Sequence, residues 1–91
     1  MEYQSAIYMA NLGTISARWG MEFEKFCVNL AKARLAKGMS AYELSLRLGK
    51  DASYISKVEN GKINISLKSI FDLCKILSIA PKTLFEFEEN K

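Results

Sequence analysis

Histidine is absent from this chain of 91 residues, and proline, tryptophan and cysteine are rare, with one, one and two copies. Without histidine there is no imidazole for acid–base catalysis and no Cys/His set for zinc. Cys27 and Cys74 both fall within apolar helical patterns, which favours two small core residues over a disulfide. No nucleophile–base pair, phosphate-binding loop or metal cluster is visible, so the sequence predicts neither an enzyme nor a bound cofactor.

Long hydrophobic runs are missing as well. The longest uncharged stretch, residues 3–17, is too short and too polar to cross a bilayer, and it lacks the basic start of a secretory signal. We therefore expect a cytoplasmic protein that does not bind membranes. At this length the chain has room for one domain with a single small core.

Apolar residues recur at three- and four-residue spacing, which predicts an all-α fold of five helices. Ser40, Asp51 and Ser66 are good N-cap residues for helices 2, 3 and 4, and Glu43 would complete a capping box with Ser40. The predicted helices run from about Met21 to Lys37, from Ser40 to Gly49, from Asp51 to Glu59, from Ser66 to Leu77, and onward from Pro81. Their predicted core faces include Leu30, Leu35, Leu44, Leu48, Ile55, Val58, Leu67, Phe71 and Leu77, whereas Leu46 is expected to point outward.

Residues 1–20 fit this plan poorly. Their apolar side chains are spaced loosely as a helix, with Gly13 and Gly20 as interruptions, and Met21 suits the start of the domain proper. We predict an N-terminal extension at residues 1–20 and the domain proper at residues 21–91. The extension is either an artefact of an upstream start or an arm that is disordered or packs on a partner subunit.

The segment from Met39 to Lys62 predicts two short helices joined by a tight turn at Gly49. This is the layout of a helix-turn-helix, whose second helix enters the major groove of DNA. The surrounding charge suits that role, because residues 32–82 hold ten Lys/Arg and four Asp/Glu, a net of +6. Positive charge of this kind attracts the phosphate backbone, although a solvated lysine-rich surface would show the same composition.

From about Phe26 to Phe85 the sequence resembles the XRE family, the helix-turn-helix of phage repressors and Cro. The matching pieces, in order, are Arg34, Gly38 with Ser40, E-L-S at 43–45, L-G at 48–49, Y-I-S-K-V-E-N-G-K at 54–62, N-I-S-L at 64–67, and L-F at 84–85. Two positions depart from the family, which usually has Gln at position 41 and an apolar residue at position 50; this chain has Ala41 and Lys50. The C-terminal part also resembles restriction-modification controller proteins.

The resemblance implies roles for individual residues. Base edges would be contacted by Ala52, Ser53, Tyr54 and Lys57, with Lys57 suited to guanine. Phosphates would be contacted by Ser40, Lys50, Asn60, Lys62 and Asn64. Arg34 and Glu59 would form a structural ion pair that ties helix 1 to the end of helix 3.

The predicted function is sequence-specific binding of double-stranded DNA by a homodimer on a pseudo-palindromic operator. Phe85 and Phe87 are candidates for the dimer interface; the alternative is that both fold back onto helix 1 against Phe23 or Phe26. An antitoxin or another regulator whose main partner is a protein would use the same fold, as would a controller protein.

Overall fold

The computed structural model describes residues 13–87. Over these residues the chain forms four α-helices and one 3-10 helix, with no strand among them. The helices are α1 (Gly13–Ala36), α2 (Ala41–Arg47), α3 (Tyr54–Glu59), α4 (Leu67–Leu77) and the 3-10 helix Pro81–Phe85. The predicted all-α class is confirmed, and the predicted fifth helix is a short 3-10 helix that begins at Pro81.

The first helix starts earlier than predicted. It begins at Gly13 and continues through Gly20, so the predicted start at Met21 and the interruption at Gly20 are wrong. A glycine costs only about 1 kcal/mol relative to alanine inside a helix, which is too little to stop one that is already propagating. Residues 1–12 of the predicted extension and residues 88–91 lie outside the described residues, and the division into an arm and a domain stays a prediction.

Serine side chains cap α2 and α4 as predicted. Ser40 Oγ accepts a hydrogen bond from Glu43 N at 3.0 Å, and Ser66 Oγ accepts one from Ser69 N at 3.1 Å. The Glu43 carboxylate lies 2.8 Å from the Arg47 guanidinium, one turn further along α2. Each cap satisfies a backbone N–H that the first turn of a helix leaves without a partner.

One hydrophobic core joins all five elements. Its most deeply buried members are Phe26, Cys27, Leu30, Leu44, Ile55, Val58, Leu73, Cys74, Leu77 and Leu84. Leu35, Leu67 and Phe71 were predicted to be buried but are exposed. Leu35 lies five positions after Leu30, about 140° around the helix, which turns it away from the core. Leu67 and Phe71 are one turn apart at the margin of the buried face of α4.

Both cysteines are free thiols within the core, as predicted. The Cys27 thiol donates a hydrogen bond to Val58 O at 3.0 Å, which joins α1 to α3. Burial, followed by the nearby Glu59 carboxylate, raises the pKa of Cys27 to about 12. The thiol is therefore neutral at physiological pH and acts as a packing residue. Within residues 13–87, none of the helices has the length and apolar character needed to cross a membrane.

Candidate nucleic-acid interface

Ser45 joins α2 to α3 from a fully buried position. Its hydroxyl donates to Ala41 O at 2.8 Å, and the same oxygen accepts from Ile55 N at 2.9 Å. Ile55 N is one of the first amides of α3, which have no partner within their own helix. The hydroxyl therefore holds the start of α3 against α2. Sequence reasoning missed this role, because a serine on the inner face of a helix signals only a small residue.

Gly49 makes the turn between the two helices. It adopts a left-handed backbone conformation with φ of +76°, which is strained for residues that carry a Cβ. Gly49 N bonds to Leu46 O at 2.9 Å and Lys50 N bonds to Ser45 O at 3.0 Å, so the chain leaves α2 abruptly. Leu46 is exposed, as predicted.

Arg34 and Glu59 lie together, and their side chains are only 12% exposed. Arg34 Nε donates to Glu59 Oε2 at 2.8 Å and Arg34 Nη2 donates to Glu59 Oε1 at 2.9 Å, which makes a bidentate pair. Arg34 Nη1 also donates to Met39 O at 2.8 Å. The hydrogen bonds to Glu59 raise the pKa of Arg34 above its usual value. The guanidinium thus ties α1 to the end of α3 and to the loop before α2.

The buried face of α3 consists of Ile55 and Val58, while Lys57 is exposed. Ala52 and Ser53 were predicted to lie on the outer face of the helix, but both precede α3 in the turn that leads into it. Ala52 is exposed and Ser53 is half-buried.

Asp51 was predicted to be the N-cap residue of α3, but Ser53 occupies that position. Asp51 Oδ1 instead accepts from Ser53 N at 2.8 Å and from Ser53 Oγ at 2.7 Å. Because α3 starts two residues later than predicted, the Asp51 side chain stabilises the turn rather than the first turn of the helix.

Tyr54 is the first residue of α3 and is half-buried against the core. Lys50 Nζ lies 5.3 Å from the centre of its ring, a cation–π contact. The contact therefore holds the Lys50 ammonium group next to the first residue of α3.

The five side chains predicted to contact phosphate are all exposed: Ser40, Lys50, Asn60, Lys62 and Asn64. Ser40 caps α2, and its hydroxyl hydrogen can still be donated to a phosphate oxygen. Asn60 Nδ2 donates to Ser56 O at 2.9 Å at the end of α3. Lys62 and Asn64 follow in the loop between α3 and α4. Three of the five, Ser40, Lys50 and Asn60, thus lie at the ends of α2 and α3.

Phe85 and Phe87 form an aromatic cluster with α1. The Phe85 ring centre lies 5.4 Å from that of Phe26 and 6.5 Å from that of Phe87. Lys25 Nζ lies 5.9 Å from the Phe87 ring centre. The segment does fold back onto α1, yet Phe85 keeps 49% of its surface exposed. A role for the two rings in a dimer remains a prediction.

Asn29 holds the same segment in place. Its Nδ2 donates to Leu84 O at 3.0 Å and to Glu86 O at 3.1 Å. Asn29 interrupts no apolar pattern and belongs to no motif, so sequence reasoning had no signal for this contact.

Comparison with known proteins agrees with this geometry. Residues 30–84 match the family described as Helix-turn-helix. The control protein C.BamHI of Bacillus amyloliquefaciens is 33% identical over 60 residues, which are 66% of this chain and 69% of that protein.

Two solved structures share the fold. The restriction-modification controller protein C.AhdI from Aeromonas hydrophila is 39% identical with a TM-score of 0.67, over 72% of this chain and 96% of that one. The hypothetical transcription factor NHTF from Neisseria is 28% identical with a TM-score of 0.67, over 85% and 84% of the two chains. The family match over residues 30–84 includes α2, α3, the Arg34–Glu59 pair and Leu84.

Proposed function

Because this chain belongs to the XRE-type helix-turn-helix family of DNA-binding regulators, we propose that it binds a specific operator by placing α3 in the major groove. Family membership also confirms the prediction that the chain is not an enzyme.

The observation that supports this proposal best is the separation of the two faces of α3. Its inner face is held by a fully buried core contact at Ile55, by the Ser45 hydroxyl and by the ion pair at Glu59. Its outer face presents Lys57 without an ion pair among the described residues. A recognition helix needs this combination, because base contacts depend on geometry that the scaffold fixes in advance.

Lys57 is the residue we assign to guanine O6 and N7, because its ammonium group is a donor on the exposed face of α3. Ala52, Ser53 and Tyr54 contribute the remaining base contacts, with Ala52 limited to a thymine methyl. The phosphate set lies at the ends of α2 and α3 and in the following loop, where contacts position the protein without reading sequence.

A homodimer follows from the size of the module. One helix-turn-helix of this size buries too little DNA surface for tight specific binding, and a two-fold pair places recognition helices about 34–36 Å apart, one turn of DNA. The exposed half of Phe85, next to Phe87, offers apolar surface for a two-fold contact. The pair would bind a pseudo-palindromic operator.

Similarity to C.BamHI and C.AhdI favours a restriction-modification controller as the particular role. The alternative, an antitoxin, has no comparable support among the relatives described above. Sites selected from random DNA and then located in the sequence around the gene, together with the proteins that co-purify with the chain, would distinguish the two roles: a controller should select a site near a restriction gene, whereas an antitoxin should co-purify with its toxin.

The experiment that tests the proposal compares two lysines on one selected site. Lys57→Ala should weaken binding to that site by about 1–3 kcal/mol and relax preference at one base pair. Lys62→Ala should weaken all sequences alike and reduce the salt slope by about 1. Lys75→Ala, at an exposed lysine of α4 that has no ion pair among the described residues, removes the same charge outside α2, α3 and the proposed dimer surface and serves as the matched control.

Affinity is measured by fluorescence anisotropy on the selected site and on its single-base variants, at several salt concentrations. If Lys57→Ala and Lys62→Ala behaved alike across sequences, the assignment of Lys57 to a base would be wrong. A wild type that selects no sequence at all would contradict the proposed function.

A further inference from the structure

Asp51 holds the amide and the hydroxyl of Ser53 at the entrance to α3. Its Oδ1 accepts from Ser53 Oγ at 2.7 Å and from Ser53 N at 2.8 Å. The bond from the Ser53 hydroxyl, then that from the Ser53 amide, lowers the pKa of Asp51, and the positive charge of Lys57 acts in the same direction. The carboxyl group is therefore ionised at neutral pH.

The direction of the bond between these side chains follows from that charge. An ionised carboxylate has only lone pairs to offer, so the hydroxyl hydrogen of Ser53 must lie between Ser53 Oγ and Asp51 Oδ1. The 2.7 Å separation is typical of a charge-assisted hydrogen bond, which is about twice as strong as a neutral one. Donating the hydrogen elsewhere would require this bond to break, so Ser53 has only its remaining lone pairs for a base.

We propose that Asp51 fixes Ser53 as a hydrogen-bond acceptor, so that the start of α3 selects a base with an amino group in the major groove. The proposal rests on the proposed function, since it concerns the same recognition helix. Adenine N6 and cytosine N4 are donors in that groove, whereas guanine O6 and thymine O4 are acceptors. Adenine or cytosine should be preferred at the contacted position, and guanine or thymine disfavoured.

The arrangement divides the outer surface of α3 by hydrogen-bonding type. Ser53, held by Asp51, supplies an acceptor in the turn before the helix, and Lys57 supplies donors on the exposed face of the helix. Ser53 would favour a base with an amino group and Lys57 a base with acceptors. The order of the two bases would fix the direction in which α3 lies along the site. Asp51 acts through Ser53 in this scheme and is a positioning residue.

Two substitutions separate hydrogen bonding from charge. Asp51→Ala frees the Ser53 hydroxyl to donate, so a preference for amino over keto bases of about tenfold should fall to about twofold or less. Asp51→Asn removes the negative charge but retains an Oδ1 acceptor for Ser53, because the Ser53 amide also donates to that atom and favours the orientation in which the oxygen, not the NH2 group, faces Ser53. It should keep the preference while it binds every sequence more tightly, because a charge that repels phosphates is gone.

The measurement is the Kd for sites that carry each of the four bases, one position at a time, in the selected operator. Adenine replaced by purine, which lacks the amino group, should bind wild type about tenfold more weakly and Asp51→Ala almost equally. Ser53→Ala is a second route to the same loss, and the double variant should lose no more than either single one. Circular dichroism checks that each variant is folded.

The outcomes distinguish this inference from the proposed function. If wild type selects a site but prefers guanine or thymine wherever Asp51→Ala or Ser53→Ala has an effect, the inference is overturned and DNA binding stands. It is equally overturned if neither variant changes any base preference while Lys57→Ala changes one. If wild type selects no site, both fail together.

Discussion

Two regions contact α1 with a different balance of interactions: α3 adds a bidentate ion pair to its packing, whereas the C-terminal segment, residues 81–87, adds aromatic contacts to its hydrogen bonds. The contact with α3 is polar and directional, through the bidentate pair of Arg34 with Glu59 and the Cys27 thiol on Val58 O. The C-terminal segment is held by the buried Leu84, by ring contacts between Phe85 and Phe26, and by the Asn29 amide.

The difference matches what each region is proposed to do. Hydrogen bonds and ion pairs work only over narrow ranges of distance and angle, so they set the orientation of α3. Aromatic contacts tolerate a range of tilts, and the one at Phe85 leaves half of the ring exposed. A recognition helix benefits from the first property, and a surface that receives a second copy of the chain benefits from the second.

The largest effect is expected from removing one partner of the polar contact. Glu59→Ala leaves the Arg34 guanidinium largely buried without its carboxylate, and should lower the free energy of unfolding by about 3 kcal/mol. Asp72→Ala breaks the solvent-exposed pair with Lys68 and should leave the free energy of unfolding nearly unchanged. Urea unfolding followed by circular dichroism measures both.

Equal stabilities of Glu59→Ala and Asp72→Ala would show that the Arg34 pair contributes no more than a surface contact. Core packing, and not the ion pair, would then hold α3 against α1.

A smaller effect is expected at the junction of α2 and α3. Ser45→Ala removes the acceptor of Ile55 N in a fully buried place, and an unsatisfied buried amide costs about 1–3 kcal/mol. Leu46→Ala, at the exposed neighbour in α2, is the matched control and should be nearly neutral. The same unfolding experiment applies, with operator affinity as a second readout.

If Ser45→Ala kept full stability and full affinity, the orientation of α3 would be set by core packing alone. The hydrogen bond from Ile55 N to the Ser45 hydroxyl would then be a consequence of that packing and would not determine the orientation of α3.

The smallest effect on folding is expected in the C-terminal segment. Phe87→Ala removes a half-buried ring and should cost roughly 1 kcal/mol of stability, yet it should shift the dimer towards monomer at micromolar concentration. Phe71→Ala, at an exposed ring of α4, should leave the oligomeric state unchanged. Sedimentation velocity with and without operator DNA measures the change.

A wild type that stays monomeric in both conditions would contradict the dimer. So would a dimer that Phe71→Ala weakens as much as Phe87→Ala, because the two-fold contact would then lie elsewhere.

Local patterns in the sequence predicted the all-α class and the serine caps of α2 and α4. They also contained the ordered family motif from residue 34 to residue 85. Caps, turn glycines and apolar periodicity act within one or two helical turns, so a short window of sequence contains their causes. The family resemblance used the same local signals, and the match over residues 30–84 confirms it.

Contacts between residues distant in the chain decided the rest. The hydrogen bond from Ile55 N to the Ser45 hydroxyl and the bonds from the Asn29 amide to the C-terminal segment depend on how helices pack, which no local window contains. The hydrogen bond from Ser53 to Asp51 is local, but the base contact that we propose for Ser53 depends on the start of α3 at Tyr54. At that start Ser53 makes no side-chain capping bond, and Ser45 Oγ of α2 accepts from Ile55 N instead, so a contact between helices satisfies an amide of the first turn.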